Sequence, residues 1–384
     1  MGEKKKKKTQ WQKWFAMALM CLIGAGCGFL MAAYMDRLLS DGKELGEALC
    51  GMALLFVGMY IAYYLQTVVH EAGHLIFGLL SGYRFSSFRV GSFMWIHENG
   101  KLRFKRYSLA GTGGQCLMSP PDLVDGKMPV ILYNLGGSLN NIIVSVICIV
   151  LYLVLGSDSL LGMFFLITAI VGIGLALING IPLRLGEIDN DGYNAFSLGK
   201  NEAAMRSIWI QLKMQEQLLK GVKVKDMPKE WFAFPSDEGM KNSMVAALGV
   251  FACNRLMEEH HFEVAEKEMQ RLLNMDTSIV GVHRSLLTCD CVFCELIGEN
   301  RREKVDAMLD KQQKKIMKAM KTNLSVLRTE YAYALLAEKD GKKADRIKAQ
   351  FEKHAVAYPY PSEVESEREL LQIAKEKEGK VCQN

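Results

Sequence analysis

Residues 65–80 read LQTVVHEAGHLIFGLL. His70, Glu71 and His74 interrupt an apolar run that extends back to about Ala48 and on to Leu80. That run exceeds the roughly 20 residues a helix needs to cross a bilayer. Helix positions four apart share a face, so both imidazoles reach one metal ion. Glu71 stands beside them, placed to take a proton from a metal-bound water and return it to a leaving amine. Zinc fits this donor set: it is borderline-soft, redox-inert, and accepts three protein ligands while leaving a fourth position open. HExxH alone arises by chance; its setting gives it weight. Polar groups in hydrocarbon are costly unless paired or bound to something. A helix end that had merely left the membrane would not continue as LIFGLL.

Three other apolar stretches reach spanning length: about Trp14 to Met35, Val130 to Leu155 and Leu160 to Leu183. The third span carries Asn134, Asn140 and Asn141. Loop charge orients the set. Lys4 to Lys8 and Lys13 precede the first span, and Arg84, Arg89, Lys101, Arg103, Lys105, Arg106 and Lys127 follow the second. Only Arg37 and Lys43 follow the first, and residues 156–159 carry no basic side chain. Basic loops stay cytoplasmic. The N-terminus, residues 82–128 and the C-terminal half are therefore expected inside a multi-pass cell-membrane protein. The first span reads as an uncleaved anchor. Gly24-Ala25-Gly26-Cys27 hints at lipoprotein cleavage, but eight more apolar residues follow the cysteine.

The net charge of +5 is too small to argue for nucleic acid, and much of it lies in the Lys4–Lys8 run. A basic cluster beside an apolar helix suits anionic lipid head groups. Phe85, Phe88, Val90, Phe93 and Trp95, then Leu102, Phe104 and Tyr107, alternate with polar residues around Asn99-Gly100. That pattern predicts a small cytoplasmic β-hairpin or sheet. Gly111 to Gly114 and Ser119-Pro120-Pro121 read as loop. From about Glu202 the chain reads as helices joined by short turns. Leu256, Leu296 and Leu336 precede turns at His260-His261, Gly298–Asn300 and Asp340-Gly341, and Ala265, Val305 and Ala344 follow. This offset of about 40 residues resembles tetratricopeptide-type arrays with a longer period.

The fourth span ends in Asn179-Gly180-Ile181-Pro182, followed by Glu187, Asp189 and Asp191-Gly192. The charge rule puts this end on the same side as His70, so these carboxylates come level with the imidazoles. HExxH in one span, Asn-x-x-Pro and then Asp-Gly at the end of another, resembles the site-2 protease family of intramembrane metalloproteases. The likeness covers roughly residues 48–195. It implies that the aspartate of the Asp-Gly pair, Asp191, is the third zinc ligand. It also implies that Gly136-Gly137-Ser138-Leu139-Asn140 matches the family's glycine-containing motif. Asn140 and Asn179, with Pro182, Gly136 and Gly137, would then seat an unwound substrate strand or brace the metal site. The segment from Leu183 to Asn190 departs from the family's shorter, proline-rich spacing, which leaves Asp189 as second candidate for the third ligand.

The fold expected is an all-α membrane bundle of about four transmembrane helices with a small β-hairpin insertion, plus a soluble all-α helical-repeat domain. Its parts are an N-terminal arm and first span (1–47), a metalloprotease core (48–199) and a cytosolic helical array (200–384). The expected activity is zinc-dependent cleavage of transmembrane or membrane-tethered proteins or peptides near the cytoplasmic face, with a cytosolic partner docked through residues 200–384. The alternative is a metal-containing membrane scaffold without proteolysis; a channel or transporter is a third reading. Cys289, Cys291 and Cys294, close to His283, read as core rather than metal ligands. His260-His261 reads as solvated turn, and His97-Glu98 as loop.

Overall fold

The computed structural model describes residues 2–98, 101–107, 113–156, 158–184 and 189–381. The chain forms two compact units: Met1–Val90 with Gly113–Glu202, and Gly91–Thr112 with Ala203–Asn384.

In the first unit, α1 (Gly2–Ser40), α2 (Leu45–Leu80), α3 (Ile131–Leu155) and α4 (Leu160–Gly180) are the long helices. All four are long and apolar enough to cross a membrane, α1 over Trp11–Ser40. Their outward faces carry large apolar side chains such as Phe29, Leu80, Leu153 and Val154, each more than two-thirds exposed. Such a surface suits lipid rather than water. Cys27, Met31 and Tyr34 of α1 pack with Leu55 and Ala62 of α2 and Ile167 and Val171 of α4.

Local chemistry sets the helix ends. Gly82 adopts a left-handed φ of 84° after α2, and the Tyr83 amide donates to the Gly78 carbonyl at 3.0 Å. This closes the helix at a residue that pays no Cβ penalty there. The Ser159 hydroxyl accepts from the Gly162 amide and starts α4. A short helix, α5 (Asp191–Ser197), follows α4.

Strand β1 (Arg84–Val90) pairs antiparallel with β4 (Gly114–Ser119), from Arg84 opposite Ser119 to Val90 opposite Gly114, with an irregularity between Phe85 and Ser87. Gly114 and Ser119 thus belong to a strand, not to the loop expected from Gly-Thr-Gly-Gly and Ser-Pro-Pro. Backbone pairing with β1 overrides the weak strand preference of these residues. The Tyr133 hydroxyl of α3 donates to the Cys116 carbonyl at 2.9 Å, tying β4 to the bundle.

In the second unit, β2 (Phe93–Glu98) and β3 (Lys101–Arg106) form an antiparallel hairpin with Glu98 opposite Lys101. The Asn99-Gly100 turn itself lies outside the described residues, as do Gly111 and Thr112. Met94 and Ile96 of this hairpin are buried with Leu219 of α6 (Glu202–Leu219). Residues 91–112 therefore cluster with the helical half of the chain.

That half contains α7 (Ser243–Glu258), α8 (Phe262–Asn274), α9 (Gly281–Ile297), α10 (Arg302–Met308), α11 (Lys311–Ala319), α12 (Leu324–Ala332), α13 (Gly341–Ala355) and α14 (Pro361–Val381). A wide turn at Tyr333–Ala337 extends α12. The turns after α7, α9 and α12 each contain one non-glycine residue with positive φ: His260 at 59°, Asn300 at 54° and Lys339 at 55°. Ala265, Val305 and Ala344, which follow these turns, are all buried in one core. The recurrence near 40 residues is thus a recurrence of geometry. Phe293 and Phe351, wholly enclosed in that core, contribute roughly 1.5–3 kcal/mol each by burial.

Candidate metal centre

His70 and His74 lie one turn apart on α2, and Asp191 opens α5. The Nε2 atoms of the imidazoles are 3.2 Å apart. Asp191 Oδ2 lies 3.1 Å from His70 Nε2 and 3.4 Å from His74 Nε2. His70, Glu71 and His74 are all buried. Among the described residues, this is the group of histidine, cysteine and acidic side chains close enough to hold a metal ion.

The surrounding hydrogen bonds decide which ring nitrogens face one another. The Asn141 amide donates both to the Gln66 carbonyl and to Gln66 Oε1, at 2.8 and 2.7 Å. Its Oδ1 is left as acceptor, 2.8 Å from His70 Nδ1, so that nitrogen carries the proton. His74 Nδ1 lies 2.7 Å from the Tyr133 carbonyl and must also donate. In the neutral rings both Nε2 atoms then present lone pairs, facing a carboxylate oxygen. Three acceptors converge on one point with no donor among them. A cation satisfies that arrangement. A tetrahedral ion with ligand bonds of about 2.0–2.1 Å separates its ligand atoms by about 3.3 Å, which the three observed separations match. The residues fit zinc.

Close approach of backbones builds the site. A Cβ on Gly73 would lie 2.2 Å from the Gly136 carbonyl oxygen, and one on Gly137 would lie 2.5 Å from the His70 ring. The glycine inside HEAGH and the glycine pair of α3 are what let α2 and α3 touch at the imidazoles. Asp191 is placed by its neighbours. Asn190 donates to the carbonyls of Ile178 and Ile181, and its Oδ1 accepts from the amides of Leu183 and Tyr193. A Cβ on Gly192 would meet the Gly180 carbonyl at 2.2 Å. The Asp-Gly pair thus joins a ligand to the clearance that seats it.

The remaining residues singled out from sequence fall in distinct places. Asp189 is engaged by Arg184, whose Nε donates to it at 2.8 Å, and Asp191 is the carboxylate at the imidazoles. Glu187 lies outside the described residues. Asn140 donates to the Val69 carbonyl on α2, one residue before His70. Asn179 turns back on its own helix, donating to the Leu175 carbonyl. Pro182 follows the end of α4. Gly136 and Gly137 serve helix contact, as above. Glu71 lies within electrostatic reach of His70, His74 and Asp191. It also lies against β4: a Cβ on Gly114 would come 2.5 Å from its Oε1. Sequence reading missed the orienting roles of Asn141, Gln66 and Asn190. The signal for Asn141 was its place beside Asn140 in an apolar span, where a buried amide demands partners.

Cys289, Cys291 and Cys294 are buried in the helical core, and burial pushes their thiols well above the ordinary range. They behave as small apolar residues. No family model, curated protein or solved structure matches the chain.

Proposed function

We propose that the chain is a membrane-embedded zinc metalloprotease that hydrolyses peptide bonds of transmembrane or membrane-tethered substrates, with zinc held by His70, His74 and Asp191. The observation that carries this reading is the convergence of His70 Nε2, His74 Nε2 and Asp191 Oδ2, 3.1 to 3.4 Å from one another, with Glu71 beside them. A site that only stabilised the fold would have no use for a buried carboxylate next to its ligands.

Bound there, zinc supplies Lewis acidity, polarising the scissile carbonyl and acidifying water enough to ionise near neutral pH. Glu71 takes the proton from the attacking water and delivers it to the leaving amine nitrogen. Asn141 and the Tyr133 carbonyl hold the imidazoles in one tautomer throughout. A substrate helix must first unwind, because its carbonyls are already hydrogen-bonded. Among the described residues β4 is an edge strand of the sheet, beside which an extended chain would add. Gly114 lies on β4 against Glu71, where such a chain meets the catalytic acid. The charge pattern of the loops supports a cytoplasmic-facing site, and the helical half supports docking of a substrate or regulator.

The test is Glu71→Gln co-expressed with a panel of tagged transmembrane proteins, with zinc measured on the purified chain. Cleavage abolished while one zinc per chain is retained supports the reading. Zinc retained with no cleavage by either form, and no phenotype from the substitution, supports a scaffold instead.

A further inference from the structure

The helical half holds a polar cavity of about 230 Å³. Glu258 of α7, Asp290 of α9, Arg328 of α12, and Glu363 and Glu367 of α14 line it, with His283 at its side. Arg328 and Asp290 are buried and hydrogen-bonded to one another. Glu258 accepts from the Lys225 amide and from Ser366. Ser325 donates to Glu367 at 2.6 Å.

Asp290 and Glu367 thus pair with the Arg328 guanidinium, and Glu258 and Glu363 line the same cavity. Burial pushes Glu363 up to about 7, and Glu367 and Glu258 beside it push the same way, against a hydrogen bond with Tyr358. Burial also raises Glu367 and Asp290 despite Arg328. His283 is lowered by burial and adds no positive charge at neutral pH. The wall is incomplete as well as acidic. Arg328 Nε, on a side chain only 1% exposed, and Glu367 Oε2 face each other at 3.5 Å. The two form an ion pair, and neither atom makes a hydrogen bond. A buried donor and a buried acceptor left unsatisfied are costly. A guest that donates to Glu367 Oε2 and reaches the neighbouring carboxylates would satisfy that acceptor.

We propose that this cavity binds an aliphatic cation, an ammonium or guanidinium group borne by a lysine or arginine side chain or by a free polyamine. The volume suits one long side chain and excludes a folded partner. Desolvated carboxylates recognise such a group strongly because the attraction is weakly screened. Tyr358 forms part of the wall. Its ring meets Tyr107 edge-on at 5.5 Å, and its carbonyl accepts from Lys105 Nζ at 3.3 Å. The guest therefore touches the residue on which the β2–β3 hairpin leans. That hairpin is the covalent insert between β1 and β4. The inference rests on the helical half and stands apart from the proteolytic reading.

The experiment is titration calorimetry on the full chain in detergent, near neutral pH and at low salt. The probes are cadaverine, acetyl-Gly-Lys-Gly-amide and acetyl-Gly-Glu-Gly-amide. At least one cationic probe is expected to bind at one site per chain, and the acidic peptide is not. Binding of cadaverine alone identifies a free amine; binding of the lysine peptide alone identifies a side chain; both support the site. Glu363→Gln is expected to weaken binding at least about fivefold by removing one charge-assisted partner. His283→Lys is expected to abolish it by placing an ammonium of the chain's own in the cavity. Should one variant fail to fold, the other decides. The proposal is overturned if neither cationic probe binds at about 10 mM, the range of very weak complexes. It is equally overturned if the acidic peptide binds as well, or if a folded variant keeps wild-type affinity.

Discussion

His70 Nδ1 and Asn141 Oδ1 lie 2.8 Å apart, and the Asn141 amide is held from behind by Gln66. That contact determines which imidazole nitrogen faces Asp191. Replacing Asn141 with leucine removes the acceptor and frees the ring. Zinc affinity is expected to fall about 10–100-fold, the usual cost of losing a partner that orients a ligand. Competition with a fluorescent chelator measures it. Unchanged affinity in a folded Asn141→Leu chain would show that the ring is oriented by something else.

Asp191 and Asp189 provide a matched pair, two residues apart. Asp191→Asn is expected to lower zinc from one per chain to a small fraction, because a neutral amide is a poor zinc ligand. Asp189→Asn is expected to keep the metal and lose only its pairing with Arg184, which is one-third exposed, at a cost of about 1 kcal/mol. Elemental analysis of both variants decides it. The reverse pattern would move the third ligand to Asp189.

Gly73→Ala tests the contact between α2 and α3. In an isolated helix this change stabilises by roughly 1 kcal/mol. Here the new methyl would sit 2.2 Å from the Gly136 carbonyl oxygen. Backbone cannot yield as a flexible side chain does, so the expected sign is reversed, with a loss of about 1–3 kcal/mol and reduced zinc binding. Thermal unfolding in detergent reads the first effect and metal content the second.

Glu295 predicts a pH dependence in the helical half. Hydrogen bonds from Arg301, with help from Lys304 and against the cost of burial, lower its carboxyl to about 2. A carboxylate whose folded pKa lies below its unfolded value stabilises fully above the unfolded pKa, and the gain is lost as pH falls toward about 2. Arg301 is half exposed, so solvent screens the pair and the gain at neutral pH is at most about 1 kcal/mol. Glu295→Gln should show this deficit near pH 7 and none near pH 2. Melting curves of both proteins across that range provide the check. A deficit that persists at the acid end would assign it to packing.

Much of the architecture was legible because it is written in short-range patterns. Apolar runs of spanning length, the i and i+4 spacing of His70 and His74, and the alternation around Asn99-Gly100 each depend on neighbours within a turn or a strand pair. The turns before Phe262, Arg301 and Gly341 were legible for the same reason. Strand β4 was not, because Gly114-Gln115-Cys116 carries little strand preference of its own. It becomes a strand by pairing with residues 24 to 35 positions earlier.

The amino-acid sequence alone determined that two histidines at helical spacing sit inside an apolar run, and that acids follow the end of another apolar run. Which acid meets the imidazoles was decided only in three dimensions, where Asn190 and Gly192 aim Asp191 and Arg184 takes Asp189. The tautomers of His70 and His74 were decided there too, by Asn141 and by the Tyr133 carbonyl. The reason is physical. Helix and span arise from local geometry and hydrophobicity, whereas a ligand set needs tenths of an ångström between atoms far apart in the chain. Only the packing of α2, α3 and α5, with glycines at the closest backbone approaches, supplies that precision.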